Sequence, residues 1–333
     1  MIRSLRHARS AGRRGALATL GGAALALGTP GLPRAQGAWP QRPVRVIVPF
    51  TPGGALDTVA RMVAQKMAER LGQPFVIENR PGAANVIGND AVAKAAPDGH
   101  TLLFAAAPLA LNTALGMKLP YDPLADFAPV SLVASIPVLI MAHPATPYRS
   151  LADVVAAARS APLNYATAGV GSMPHLIGEA LRARAAPQLA HIGYKGAQPA
   201  LQDAVAGTVP LLIDAYIPSG VQVVAGRLRG IAVASVRRSA VLPDVATTVE
   251  QGYPELVGSG FYGLLAPART PAAIVERLHA AVLEAVDGTD VRERLVRQGY
   301  DVHASSPAEY AAFLRREIER WTPVVRAAGI RPE

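Results

Sequence analysis

The chain has 333 residues, 50% of them hydrophobic and 17% charged, with no cysteine and a formal net charge of +9. That composition supplies a sizeable apolar core and excludes disordered and collagen-like classes. The absence of cysteine excludes disulfide frameworks, thiolate metal sites and cysteine nucleophiles, and the length suggests about two domains.

Arg3, Arg6, Arg9, Arg13 and Arg14 precede an apolar run over 15–28 that contains no acidic residue, and the small residues around Ala35 and Gly37 offer a cleavage point before Ala38. The pattern predicts an export signal over 1–37, because the run falls short of the roughly 20 residues that span a bilayer. Arg13-Arg14 admits the twin-arginine route beside the general secretory one. With Arg34, this segment holds six of the 33 basic residues and none of the 24 acidic ones, leaving 27 basic against 24 acidic in the rest. No basic run or basic patch interleaved with aromatics remains, so nucleic-acid binding is not expected. The expected product is a periplasmic protein with its signal removed.

Residues 44–50 read as a short buried strand that Thr51-Pro52-Gly53-Gly54 interrupts, after which Leu56, Val59, Ala60, Val63, Met67 and Leu71 recur at helical spacing. A strand over 75–78, a helix over 85–95 and a strand over 101–106 follow, the last after the turn Pro97-Asp98-Gly99. Such alternation predicts a parallel α/β sheet. Beyond Asp126 two apolar strands, 130–134 and 138–142, follow each other without a helix and mark a crossing into a second domain. That domain alternates again: helix 151–158, strand 163–168, a helix after Pro174, strand 189–192, helix 199–206 and strand 209–213. A strand over 261–266 leads back to a mostly helical C-terminal part. There Thr270-Pro271 and Ser306-Pro307 each place a cap residue before a first-turn proline, and Ser306 with Glu309 fits a capping box. The plan is a two-lobed α/β cleft protein, with domain 1 formed by 38–138 and 264–333 and domain 2 by 139–263.

Two loops could hold an anion. Thr51 to Gly54 lies between a strand and a helix, so backbone N–H groups and a helix N-terminus face the carboxyl edge of the sheet; the competing reading is a plain tight turn. Asp57, in the first helical turn, either complements the helix dipole or meets a ligand. Ala168-Gly169-Val170-Gly171-Ser172 repeats the arrangement in the second domain, and His175 on the following helix is either a ligand contact or a satisfied structural residue. The fingerprints G-x-G-x-x-G, G-K-[ST], G-x-S-x-G and H-E-x-x-H are all absent, and the seven histidines lack metal-ligand spacing. Asp203 and Asp214 read as helix-surface and strand-end carboxylates, and Lys195 as a solvated loop residue. No cofactor, metal or catalytic residue is expected.

The segments WPQRPVRVIVPFTPGGALD, LGQPFVIENRPGA, AKAAPDGHTLL, LPYDPLADFAPVSL, LNYATAGVGSMPH, GYKGAQPAL, LPDVATTVEQGYP and GFYGLLAPARTP occur in this order between Trp39 and Ile330. In them the chain resembles the substrate-binding component of tripartite tricarboxylate transporters, the Bug proteins. The resemblance implies a two-domain periplasmic binding fold of the type II kind, two α/β lobes joined by two crossing strands with the ligand cleft between them. It implies a small carboxylate held by backbone N–H groups and waters, delivered to a membrane permease of one large and one small subunit. Carried onto this chain, the first binding loop is Thr51, Pro52, Gly53, Gly54, Ala55, Leu56 and Asp57. The second is Thr167, Ala168, Gly169, Gly171, Ser172 and His175, with Ala106, Ala107, Asp214 and Tyr216 lining the cleft.

Departures from the family pattern bear on the ligand. Ala55 and Leu56 stand where a hydroxyl residue is common, Ser172-Met173-Pro174 where small polar residues are frequent, and neither loop contains Arg or Lys. Bidentate guanidinium clamps are the usual way to grip dicarboxylates, so a monocarboxylate or aromatic carboxylate is expected ahead of citrate. Pro210 and Pro323 depart at a strand start and inside a helix. The alternative partner is a membrane sensor kinase, and a monomer is expected.

Overall fold

The computed structural model describes residues 39–287 and 289–331; the expected export signal over 1–37 lies outside the described residues. β1 (Val44–Val48) is a β-branched run buried at all but one position, and Pro52-Gly53-Gly54 turns it into α1 (Ala55–Leu71). That helix buries Leu56, Val59, Ala60, Val63 and Met67 at i, i+3, i+4 spacing and stops at Gly72, whose left-handed φ of 71° lets its N–H return to Ala68 O. β2 (Phe75–Asn79), α2 (Val86–Ala93), β3 (Thr101–Ala106) and α3 (Pro108–Ala114) follow. β4 (Phe127–Ala142) then runs for 16 residues.

The second lobe contains α4 (Leu151–Ser160), β5 (Leu163–Thr167), α5 (Met173–Arg184), β6 (Leu189–Gly193) and α6 (Ala197–Ala206). It continues with β7 (Leu211–Ala215), α7 (Tyr216–Val224) and β8 (Arg229–Val233). The return runs through β9 (Ser259–Pro267), α8 (Ala272–Asp287), α9 (Thr289–Arg297), β10 (Asp301–Val302) and α10 (Pro307–Ala328).

The strand order is β2-β1-β3-β9-β4-β7-β5-β6, with β8 and β10 also on β4. β1 is parallel to β2 and β3, and β5 is parallel to β6 and β7. β4 joins the two sets: residues 127–137 pair with β9 and residues 138–142 with β7. The return crossing is fastened where Gly258 N–H meets Ala234 O at 2.9 Å and β9 enters the first sheet at Ser259. A cut at 138/139 and 263/264 therefore passes inside β4 and β9. Alternation along the strands sends Val46, Val48, Leu102 and Phe104 to the face covered by α1 and α8, and Ile47, Leu103, Phe261 and Leu265 to the face covered by α10. α10 lies on β4 and α3 and reaches α5 in the second lobe.

The two strands read at 130–134 and 138–142 are one. Pro137 does not break it because its missing N–H falls where β4 changes partners, between Pro137↔Ser259 and Val138↔Ala215; two bulges absorb the irregularity. The capping box at Ser306 and Glu309 forms. Thr270 does not cap: its hydroxyl is buried without a hydrogen-bond partner, and the first turn of α8 closes on Pro271 O instead. Pro323 is accommodated inside α10, which continues to Ala328, and Pro210 precedes β7, where its carbonyl accepts the His143 N–H.

Candidate functional site

The carboxyl ends of β1 and β3 in one lobe, and of β5 and β7 in the other, carry the residues singled out in the sequence. In the first loop Thr51, Pro52, Gly53 and Gly54 are exposed, Ala55 is half-buried, and Leu56 and Asp57 are buried. Gly53 needs its glycine, with φ at +83°. Gly54 is the N-cap of α1 in extended backbone and supplies no side-chain cap, so the first-turn N–H groups of Ala55, Leu56 and Asp57 have no carbonyl one turn back. The helix dipole adds positive potential there.

Asp57 faces inward. Its Oδ2 accepts the Gly53 N–H at 2.9 Å and Arg61 Nε at 2.8 Å, and its Oδ1 accepts Asn79 Nδ2 at 2.8 Å. Burial by itself would raise this carboxyl, but the hydrogen bonds from Arg61, Gly53 and Asn79 outweigh it and hold the pKa at about 2. Asn79 also donates to Phe50 O at 3.0 Å. The side chain is thus spent on fixing the loop's curvature. Arg61 is spent on Asp57 in turn.

The second loop is tied to itself. Thr167 Oγ1 accepts the Gly169 N–H at 3.3 Å and lies 2.7 Å from His191 Nε2. Ser172 caps α5, its Oγ accepting the His175 N–H at 3.4 Å and donating to Gly169 O at 2.8 Å. His175 turns its Nδ1 toward the loop, where it accepts the Gly171 N–H at 3.0 Å. Burial, then the neighbouring His191 and Arg182, push its pKa down to about 3. A neutral ring whose Nδ1 accepts carries its proton on Nε2. Gly171 also touches the first lobe: a Cβ there would lie 2.9 Å from Leu115 Cδ1, so the loop reaches across to the end of α3.

Ala106 and Ala107 lie buried at the end of β3 and the start of α3. Asp214, at the end of β7, is 3% exposed. Burial raises its carboxyl to about 6 against the hydrogen bonds from Ser219 Oγ and the Ala215 N–H, and the Ser219 contact is 2.6 Å. The Tyr216 ring is committed to packing, since a Cβ on either Gly220 or Gly299 would overlap it. Asp203 accepts the Tyr194 hydroxyl at 2.6 Å, a structural use. Among the described residues no group of three or more His, Asp or Glu side chains could hold a metal ion.

Several residues that shape these loops escaped the sequence reading. Asn79 and Arg61 hold Asp57, while His191, Tyr165 and Glu179 underlie the second loop. Beside the first loop, Ala83, Ala84 and Asn85 are all left-handed, with φ of 46°, 49° and 78°, and Asn112 Nδ2 donates to Ala84 O at 2.8 Å to brace them. Only the Pro81-Gly82 pair ahead of them signals a special turn.

The model of the tripartite tricarboxylate transporter family receptor matches residues 59–330. The chain belongs to that family. BugT of Bordetella pertussis is 37% identical over 295 residues, covering 87% of this chain and 90% of its own. Among solved structures, an R. palustris protein with adipate superposes with a TM-score of 0.76 at 34% identity, covering 89% of this chain and all of its own. MatC from Rhodopseudomonas palustris with bound malate gives 0.72 at 38% identity, covering 86% of this chain and all of its own. The two-lobed α/β architecture is therefore that of the family's solute receptors, and among the described residues no helix is long and apolar enough to cross a membrane.

Proposed function

We propose that the chain is a periplasmic receptor that captures a small carboxylate between its lobes and hands it to a membrane permease, without chemistry of its own. The reading rests on one observation above the rest. The first-lobe loop offers the open first-turn N–H groups of α1, while Asp57 is already saturated by Gly53, Arg61 and Asn79. Such a terminus stabilises one carboxylate. Relatives solved with adipate and malate support the ligand class.

In this proposal Thr51 to Leu56 receive the carboxylate, Asp57 sets the loop, and Thr167 to His175 close from the other lobe. Ala106, Ala107, Asp214 and Tyr216 form the walls. The lobes divide as 38–138 with 264–333, and 139–263. Most second-loop donors are engaged within the loop, and neither loop brings a cation, which favours a monocarboxylate or aromatic carboxylate held at its far end by shape.

The test is a thermal-shift screen of mono-, di- and aromatic carboxylates on the exported protein and on Gly54→Asp. Gly54 has φ of −77°, and a Cβ there would come no nearer than 3.8 Å to Thr51 O, so the variant folds with a carboxylate at the mouth of the anion site. Ligand at about 100 times Kd stabilises by roughly 2.7 kcal/mol. That shift is expected in the wild type and absent in the variant, whose far-UV spectrum stays unchanged. Equal shifts in both proteins refute the site, and no shift with any carboxylate refutes the ligand class.

A further inference from the structure

Beneath the second loop the imidazoles of His175 and His191 stack face to face, with centroids 3.8 Å apart and planes 16° apart. Each ring holds one end of the loop, His191 through Thr167 Oγ1 at 2.7 Å and His175 through the Gly171 N–H at 3.0 Å. Thr167 in turn takes the Gly169 N–H, so the pair governs both glycines of the turn. We propose that this stack is the positioning element of the second ligand loop and that it works only while both rings are neutral, the loop loosening and ligand affinity falling as pH drops toward 5.5. The ligand part of this rests on the carboxylate-receptor reading above; the loop part does not.

The geometry carries the argument. A proton added to His175 goes to Nδ1, where it would confront the Gly171 N–H donor to donor and break that bond. Protonating both rings sets two cations face to face at 3.8 Å. The surrounding groups have other commitments. On α5, Glu179 accepts the Tyr165 hydroxyl from β5 at 2.9 Å and Arg182 Nε at 2.7 Å, leaving His175 Nε2 3.9 Å away. Arg182 opposes a charge on His175, and Glu179 partly favours one on His191 without offsetting the burial that lowers that ring. Arg331, past α10, lines the same hollow of about 430 Å³ with Val170, His175, Glu179, Arg182 and His191, a solvent route to the pair and another positive charge.

A histidine released into water titrates near 6.5. Each ring that must be freed for the loop to open therefore favours the open form by up to about tenfold at pH 5.5 relative to pH 7.5, a range in which an aromatic monocarboxylate stays ionised.

The experiment is amide exchange of Gly169 and Gly171 by NMR in the full ligand-free protein at pH 7.5 and 5.5, corrected for intrinsic rates, with imidazole nitrogen shifts recorded alongside. Wild type is expected to lose five- to tenfold in protection, with His175 in its Nε2–H form at pH 7.5. His175→Asn, which keeps an acceptor for Gly171, is expected to retain Gly171 protection at both pH values; His175→Leu is expected to lose it at both. Benzoate, an aromatic monocarboxylate that stays ionised at both pH values, is titrated over the same range, and its affinity should fall with the loop's protection. Protection independent of pH in the wild type, or an Nδ1–H form of His175, overturns the proposal. A loop that loosens as described in a protein that binds no carboxylate leaves the positioning role standing and refutes the carboxylate reading alone.

Discussion

Asp57→Asn separates two roles for a residue at the mouth of the site. If Asp57 fixes the loop, the cost appears in the protein without ligand. Its carboxyl sits at about 2 rather than the ordinary 3.8, which corresponds to about 2.4 kcal/mol of stability at neutral pH. Arg61 is half-exposed and solvent screens that part of the interaction, which reduces the expected loss to about 1.5 kcal/mol. The folded-state pKa is depressed, so the contribution is complete above pH 3.8 and is lost as pH falls toward 2. The gap between wild type and variant should therefore shrink to about half by pH 3. Urea denaturation at pH 7 and pH 3 on ligand-free protein reads both numbers. Equal stability at pH 7, or a gap that stays constant down to pH 3, refutes the loop-fixing role and returns Asp57 to the ligand.

Asp214 has the opposite sign. Its folded pKa of about 6 lies above the ordinary 3.8, so the folded state binds a proton that the unfolded chain gives up, and stability declines as pH climbs from about 4 to 6. Asp214→Asn, which still accepts from Ser219, is expected to be about 2 kcal/mol more stable than wild type at pH 8 and no more stable at pH 4; chemical denaturation at the two pH values checks it, and a pH-independent difference rejects it. Trp321 is fully buried in α10, its Nε1 donating to Glu317 Oε2 at 3.0 Å. Trp321→Ala is expected to cost about 3–5 kcal/mol and to lower the midpoint of thermal unfolding, and a loss under 1 kcal/mol would mean that α10 does not clamp the core as described.

What was legible in the sequence was local. The first loop is legible because glycines stand between a short continuous apolar run and one of period 3.6, and the second because Gly169 and Gly171 precede Ser172 and Pro174. Both sit between a strand and a helix as expected. Among the elements not read from the sequence, α3 has seven residues and β10 two, too short for a period to show. α7 contains a non-helical Ile217, which hides its register, and β8 is five residues starting at Arg229. The two apolar runs 130–134 and 138–142 are one strand, β4, and only the change of partners at Pro137 explains how it continues through a proline. Within the site, His175 was visible as a candidate, but its stacking on His191 joins α5 to β6 across a strand pairing that no spacing encodes.

The two loops resemble each other in sequence and differ in electrostatics. In the first, Asp57 lies under the turn and takes one N–H, from Gly53, while the next N–H groups belong to the opening turn of a 17-residue helix. In the second, Thr167, Gly169, Ser172 and His175 absorb the donors of Gly169, Ser172, His175 and Gly171, so the serine cap takes one first-turn N–H of α5, where Pro174 has none to offer. An anion gains more from the first than from the second. Under the receptor proposal a carboxylate therefore settles on the first lobe, and the second lobe, whose Gly171 lies against Leu115, contributes shape and water exclusion. Enlarging Leu115 would obstruct that contact without touching the anion site. Leu115→Trp is thus expected to weaken retention of a carboxylate by speeding its release, with the rate of capture nearly unchanged.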